Sequence, residues 1–239
     1  MKRTAWGLSA MLACLLLGTA IAGGSLIATK GHLSTAEMAA QPFSAPTVLV
    51  TCLDPPAILL EIAAIVLIVL DSRQIGSKHR RLAWSAAILF ALWAMANLGG
   101  FLPLSFLGMQ RDSLPMVKAG LMVKAGAAVL QYVVPFLLAF GLSRKPVRIL
   151  LCLALILTVI GNFGIVALPI VGIRLEPIEG PGRTMYVPHY DIEYTTGPYP
   201  ILLTMSFVGG TLYMLAYTLL TWQSWKRPAL ADEPLSPHF

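Results

Sequence analysis

Charged residues are scarce in this chain. Of its 239 residues, only 12% are Asp, Glu, Lys or Arg, whereas 57% are hydrophobic. Soluble domains carry about 25% charged residues, so the solvating surface that such a domain needs is missing. Intrinsic disorder is excluded as well, because disordered chains have low hydrophobicity. The composition predicts an all-α polytopic membrane protein with one transmembrane helical domain over residues 1–239.

Cysteine and histidine are also rare. The three cysteines form no CxxC pair, so the sequence gives no support for a zinc site. The four histidines fall outside the predicted spans, which disfavours a haem held between helices by histidine. These are His32, His79, His189 and His238. Because no nucleotide-binding or hydrolase motif is present either, we predict no cofactor, no metal and no catalytic residue, and a non-enzymatic role.

Long apolar runs, by contrast, are abundant. A helix needs about 20 mostly apolar residues to cross a bilayer. Six runs reach that length: Trp6–Ile27, Val48–Leu70, Leu82–Leu102, Val117–Leu142, Val147–Ile170 and Ile201–Trp222. The first run also has the layout of a signal peptide, because basic residues precede it and Ala20-Ile21-Ala22 is an A-x-A cleavage pattern. Residues 1–27 are therefore either the first helix or a signal-like segment.

Basic residues are distributed unevenly between the predicted connections. With the N-terminus in the cytoplasm, eleven of the 17 Lys and Arg fall on the cytoplasmic side, as the positive-inside rule requires. These eleven are Lys2, Arg3, Arg73, Lys78, Arg80, Arg81, Arg144, Lys145, Arg148, Lys226 and Arg227. We expect both termini, including a tail over 226–239, to be cytoplasmic and the protein to lie in the cytoplasmic (inner) membrane. This rule and contact with the lipid bilayer account for the net charge of +6 without nucleic acid as a partner.

Two acidic residues interrupt the second run. Asp54 precedes Pro55-Pro56, a pattern that predicts a helix starting at Pro55 with Asp54 as its N-cap and an extended lead-in before it. Glu61 lies seven residues later, on the same helical face and about 10 Å deeper. A cap cannot explain Glu61, and ionisable groups inside a span are functional candidates.

Three further polar residues lie within the fourth and fifth runs. Lys124 and Gln131 are also seven residues apart and share a face, whereas Asn162 follows Gly161 in the fifth run. Glu61 and Lys124 fall at similar depth, and each is the other's most obvious partner, because an unpaired buried charge is costly. We expect them to face one polar centre, either as a direct pair or without touching. Asn162 has a simpler explanation as an interhelical hydrogen-bonding residue.

The connection over residues 172–200 differs in composition from the rest of the chain. It contains four of the seven tyrosines, and Pro188 and Gly197-Pro198 argue against a continuous helix there. Loops of this length are usually functional or bind partners, so we expect a structured outer loop that docks membrane-protein partners. Its His189, Asp191 and Glu193 are candidate binding residues, although one histidine with two carboxylates is a weak metal signal.

Two functions compete. The first is a small transporter or solute-binding membrane protein whose outward-facing site contains Glu61, Lys124, Gln131 and Asn162, with the Tyr186–Tyr199 segment as a lid. The second is a non-catalytic membrane subunit of a larger complex, respiratory or redox, that uses the same loop for docking. A third, an intramembrane enzyme using Glu61 and His189, lacks a visible nucleophile–base arrangement. The sequence gives neither the solute, nor a coupling ion, nor the oligomeric state.

Overall fold

The computed structural model describes residues 2–34, 44–75, 77–180 and 183–226. The predicted cytoplasmic tail beyond residue 226, with His238, lies outside the described residues. The helices are α1 (Lys2–Ala28), α2 (Ala45–Ile75), α3 (Ser77–Met95), α4 (Leu102–Gln110), α5 (Leu114–Phe140), α6 (Lys145–Gly172) and α7 (Tyr199–Lys226). The strands are β1 (His32–Ser34), β2 (Arg174–Gly180), β3 (Arg183–His189) and β4 (Asp191–Glu193).

Six helices of the described chain are long and apolar enough to cross a membrane, as the sequence predicts. The third of them is composite: α3 and α4 are joined by a π-helical turn over Ala96–Phe101. Proline occupies the first turn of α5 and α6, where its missing N–H has no helical partner to lose. Within a bilayer, continuous helices are needed because every backbone polar group must find its partner inside the protein.

The six spans form a closed ring in chain order. Each span packs mainly against the next one along the chain, and α7 closes the ring by packing against α1. Short links explain the contacts of the second span with the third, the third with the fourth and the fourth with the fifth, because helices joined by a few residues must run antiparallel side by side. The first span is thus an integral part of the ring, contributing the fully buried side chains of Leu8 and Met11 to the core.

One end of the ring, which we call the basic end, gathers the start of α1, the end of α2 and the end of α7. The Thr4 backbone N–H and hydroxyl both donate to the Asp71 carboxylate, the former at 3.0 Å. The Trp225 indole Nε1 donates to the Ser9 hydroxyl at 3.2 Å. The starts of α3 and α6 lie at this end too, since a Cβ on Gly141 would meet His79 and Arg144 lies beside Lys226. Together these helix ends carry ten of the eleven basic residues that the sequence assigns to the cytoplasmic side.

The opposite end, which we call the strand end, carries the four strands. β1 pairs antiparallel with β4, and β2 pairs antiparallel with β3. The Tyr194 backbone N–H donates to the Gly31 carbonyl at 2.8 Å, which fastens the loop before α7 to the end of α1. The 172–200 segment is therefore structured and not a continuous helix, as its prolines predict, although the sequence did not indicate strands.

An apolar core fills the half of the ring nearest the basic end. Its largest fully buried side chains are Tyr213, Tyr217, Leu8, Met11, Ile68, Leu138 and Leu151. The Tyr217 hydroxyl donates to the Pro135 carbonyl at 2.6 Å, and the Tyr213 hydroxyl to the Tyr132 carbonyl at 3.0 Å. These bonds satisfy two buried phenols and attach α7 to the middle of α5.

Two glycines allow α6 and α7 to approach closely. A Cβ atom on Gly161 would lie 2.6 Å from the Leu202 carbonyl oxygen, and one on Gly209 would lie 2.7 Å from the Thr158 backbone nitrogen. Each glycine thus faces the backbone of the other helix. Small residues at such crossings are the usual means by which membrane helices pack tightly.

Two predicted boundaries are wrong. α2 begins at Ala45 and continues through Pro55 and Pro56, so Asp54 does not cap a helix start. In an extended lead-in, the backbone N–H and C=O groups of this apolar run would lack hydrogen-bond partners. In the helix these groups bond to one another, as the Val48 N–H does to the Ser44 carbonyl at 3.0 Å. Likewise α3 begins at Ser77, five residues before the predicted start of the third run at Leu82, so His79 lies within a helix and is buried.

Candidate functional site

A cavity of about 570 Å³ occupies the strand-end half of the ring. Its walls come from all six spans, and Leu33 and Tyr194 reach it from the strand end. Most lining side chains are apolar, with a small number of polar groups among them. This is the usual composition of a small-molecule site, and the volume lies within the range of about 300–1,000 Å³ for such sites.

Glu61 lies at the inner end of this cavity, next to the apolar core. Its side chain is buried, and Oε2 accepts a hydrogen bond from Gln131 Nε2 at 3.2 Å. Among the described residues, no Lys, Arg or His lies within ion-pairing distance of it. The carboxyl group is therefore held by an amide and not by a positive charge.

Lys124 lines the same cavity from α5 but contacts a different group. Its Nζ lies 4.9 Å from the centroid of the Phe101 ring, within the range of a cation–π contact. Phe101 is the last residue of the π-helical turn, so that irregular turn supplies the ring on which Lys124 rests. The direct Glu61–Lys124 pair does not form, although both residues face the one cavity.

Asp54 joins these residues at the cavity wall. It lies on the same face of α2 as Glu61, two turns nearer the strand end, and it lines the cavity together with Lys124. The cavity therefore has two polar levels. The outer level has Asp54 and Lys124 with opposite charges, and the inner level has Glu61 and Gln131.

Asn162 belongs to the wall formed by α6 and α7. The Ser206 hydroxyl donates to Asn162 Oδ1 at 3.0 Å, and Asn162 Nδ2 donates to the Thr158 carbonyl at 2.9 Å. The interhelical hydrogen bond is thus present, and both residues also line the cavity. The buried Thr158 hydroxyl on the same wall has no hydrogen-bond partner in the described structure.

The three candidate residues from the 172–200 segment, His189, Asp191 and Glu193, do not line this cavity. His189 lies between two carboxylates, with Nδ1 3.3 Å from Glu176 and Nε2 3.4 Å from Asp191. Glu193 pairs with His32 Nδ1 at 3.4 Å and accepts a hydrogen bond from the Thr195 hydroxyl. That hydrogen bond is the main reason why the pKa of Glu193 lies below its ordinary value. These pairs hold the strands together at the surface of the strand end.

The sequence reasoning missed Trp93 and Asn97, which also line the cavity. Asn97 lies in the π-helical turn and donates to the Trp93 carbonyl at 2.9 Å. The sequence feature that could have identified Asn97 is its position as a polar residue close to Gly99-Gly100 within an apolar run. π-helical turns are rare and occur often at functional sites.

A metal centre has no support in the described residues, where no group of three or more His, Cys, Asp or Glu is placed to hold an ion. What the cavity offers chemically is hydrogen bonding and charge in an apolar enclosure. Comparison of the chain with protein-family models, curated proteins and solved structures found no match.

Proposed function

We propose that this protein is a membrane protein that binds a small solute in the cavity within its helix ring, as a transporter does in one of its states. The observation that carries the proposal is the cavity itself. It brings Glu61, Lys124, Gln131 and Asn162 to the walls of one cavity. Polar groups are costly in a membrane interior, so their convergence on a space of ligand size favours a binding role over a purely structural one.

The orientation follows from charge. If the basic end faces the cytoplasm, as the positive-inside rule predicts, the cavity lies on the outer side of the membrane. The apolar core beneath it then separates the site from the cytoplasm. A transporter would have to rearrange this core, in which Tyr213 and Tyr217 anchor α7 to α5.

A blocking substitution tests the proposal. Ala128 lines the cavity, whereas Ala119, on the same helix, is exposed on the outside of the ring. The purified protein in detergent should be screened by thermal unfolding against amino acids, sugars, carboxylates and organic amines. We expect at least one class to raise the Tm of the wild type and of Ala119→Trp but not that of Ala128→Trp. Equal stabilisation of both variants would place binding elsewhere and contradict the proposal.

The second candidate function is that of a subunit in a larger membrane complex. The observation that favours it is the β2–β3 ladder, which in the described chain has two strands and no third strand paired with either of them. Mild-detergent purification distinguishes the two functions. Stoichiometric unrelated partners would favour the subunit, and a homogeneous small particle would favour the solute-binding protein.

A further inference from the structure

The inner end of the cavity contains the hydrogen-bond acceptors of Glu61, but no Lys, Arg or His of the described chain lies beside them. Glu61 is 3% exposed, and its one hydrogen bond in the described structure comes from the neutral amide of Gln131. An uncompensated carboxylate in such a place is strongly unfavourable unless it takes up a proton or a cation. The ligand that best completes the site therefore carries a positive charge.

Backbone chemistry adds a second acceptor at the same level. Pro135 has no N–H and lies within α5, so the carbonyl of Gln131 lacks the donor that it would have in a regular helix. Gln131 and Pro135 both line the cavity. A carboxylate and a backbone carbonyl that lacks its helical donor can each accept an N–H of an ammonium group.

The surrounding walls suit the rest of such a ligand. Tyr213, Phe207 and Trp93 line the cavity together with aliphatic side chains. Aromatic faces attract cations and also pack well against an apolar body. The one lysine of the described cavity wall, Lys124, stands seven residues from Gln131 along α5, about 10 Å nearer the strand end.

We infer that the cavity binds an organic amine in its protonated form, with the ammonium group at Glu61 and the Gln131 carbonyl and the apolar body toward the strand end. This inference rests on the proposed function and specifies its ligand class. A proton on Glu61 would replace the amine when the site is empty, because either cation neutralises the carboxylate.

Three probes of nearly equal size and different charge test the inference: 2-phenylethylammonium, 2-phenylethanol and 3-phenylpropionate. Binding to the purified full-length protein at neutral pH is measured by isothermal titration calorimetry. We expect the wild type to bind the ammonium probe most tightly, and Glu61→Gln to weaken that binding about 10- to 100-fold while leaving binding of the alcohol unchanged. Lys124→Met should strengthen ammonium binding, because it removes a positive charge from the cavity wall. Asp112→Asn, which removes a carboxylate from an exposed turn, is the matched control and should not change binding.

Several results would overturn the inference. One is a preference of the wild type for the alcohol or the carboxylate, and another is a preference for the ammonium probe that Glu61→Gln retains. Binding of none of the three probes also overturns it. If Glu61→Gln does not fold, Glu61→Asp keeps the charge but shortens the side chain, and it should retain the preference with weaker affinity. The blocking test with Ala128→Trp remains separate, so solute binding can stand while the amine class fails.

Discussion

At the scale of single residues, the informative contact is the hydrogen bond between Gln131 and Glu61. It joins α2 to α5 across the ring, between spans that are not neighbours in the ring. A buried polar group that loses its partner destabilises a protein more than one that is removed together with its partner. That asymmetry gives a test of whether the two side chains form a unit.

We therefore predict that Gln131→Leu lowers the free energy of unfolding by about 1–3 kcal/mol, because Glu61 loses its donor. The double variant Glu61→Met/Gln131→Leu should recover much of this loss. Thermal or denaturant unfolding in detergent measures both. A double variant whose destabilisation is the sum of those of the single variants would show that the two residues act independently.

A second residue-level prediction concerns Glu193, outside the membrane-spanning helices. The Thr195 hydroxyl stabilises the ionised carboxylate, so Thr195→Val should raise the pKa of Glu193 toward its ordinary value. NMR titration of carboxyl-labelled glutamate in the purified protein measures this. Thr196→Val is the neighbouring control, because the Thr196 hydroxyl contacts the Glu193 backbone carbonyl and not the carboxylate. If the pKa of Glu193 is unchanged in Thr195→Val, this hydrogen bond is not the cause of the lowered pKa.

At the scale of elements, the contact between α6 and α7 is among the most restrictive packing features of the ring. Gly161 and Gly209 each face the backbone of the opposite helix, and no side chain fits there without moving a helix. The same pair of helices carries the Asn162–Ser206 bond of the cavity wall. Their spacing therefore sets the width of that wall.

We predict that Gly209→Ala lowers the free energy of unfolding by about 1–3 kcal/mol, the usual cost of overpacking. Gly210→Ala is the matched control, since a Cβ there would meet no atom within 4 Å. It should be neutral or slightly stabilising, because alanine favours helix over glycine. Comparison of the two unfolding midpoints checks the prediction, and equal midpoints would show that α6 and α7 can separate freely.

At the scale of the whole molecule, the two ends of the ring differ in charge and in structure. Basic residues gather at one end, and strands gather at the other. The sequence predicts that the basic end is cytoplasmic, and this orientation decides which compartment the cavity serves.

Labelling of single cysteines tests this orientation. In a variant with Cys14, Cys52 and Cys152 replaced by alanine, Thr196→Cys at the strand end should react with a membrane-impermeant maleimide in intact cells. Lys145→Cys at the basic end should react only after the membrane is permeabilised. Both positions are exposed, so access is limited by the membrane and not by burial. The reverse pattern would place the cavity on the cytoplasmic side.

The sequence by itself determined the number of spans and the short list of polar residues within them. It could do so because a bilayer requires about 20 apolar residues per helix and makes every buried charge conspicuous. Glu61, Lys124, Gln131 and Asn162 stood out for this reason, and all four line the cavity. The prolines of the 172–200 segment likewise excluded a continuous helix, since proline breaks the hydrogen-bond pattern.

Only the tertiary structure decided which of these residues touch. Both the lipid-facing and the core-facing sides of a membrane helix are apolar, so periodicity does not fix helix rotation or neighbours. For that reason the sequence could not place Glu61 against Gln131 instead of Lys124, nor close the ring by packing α7 on α1. The π-helical turn that brings Asn97 to the cavity and Phe101 under Lys124 depends on packing between helices.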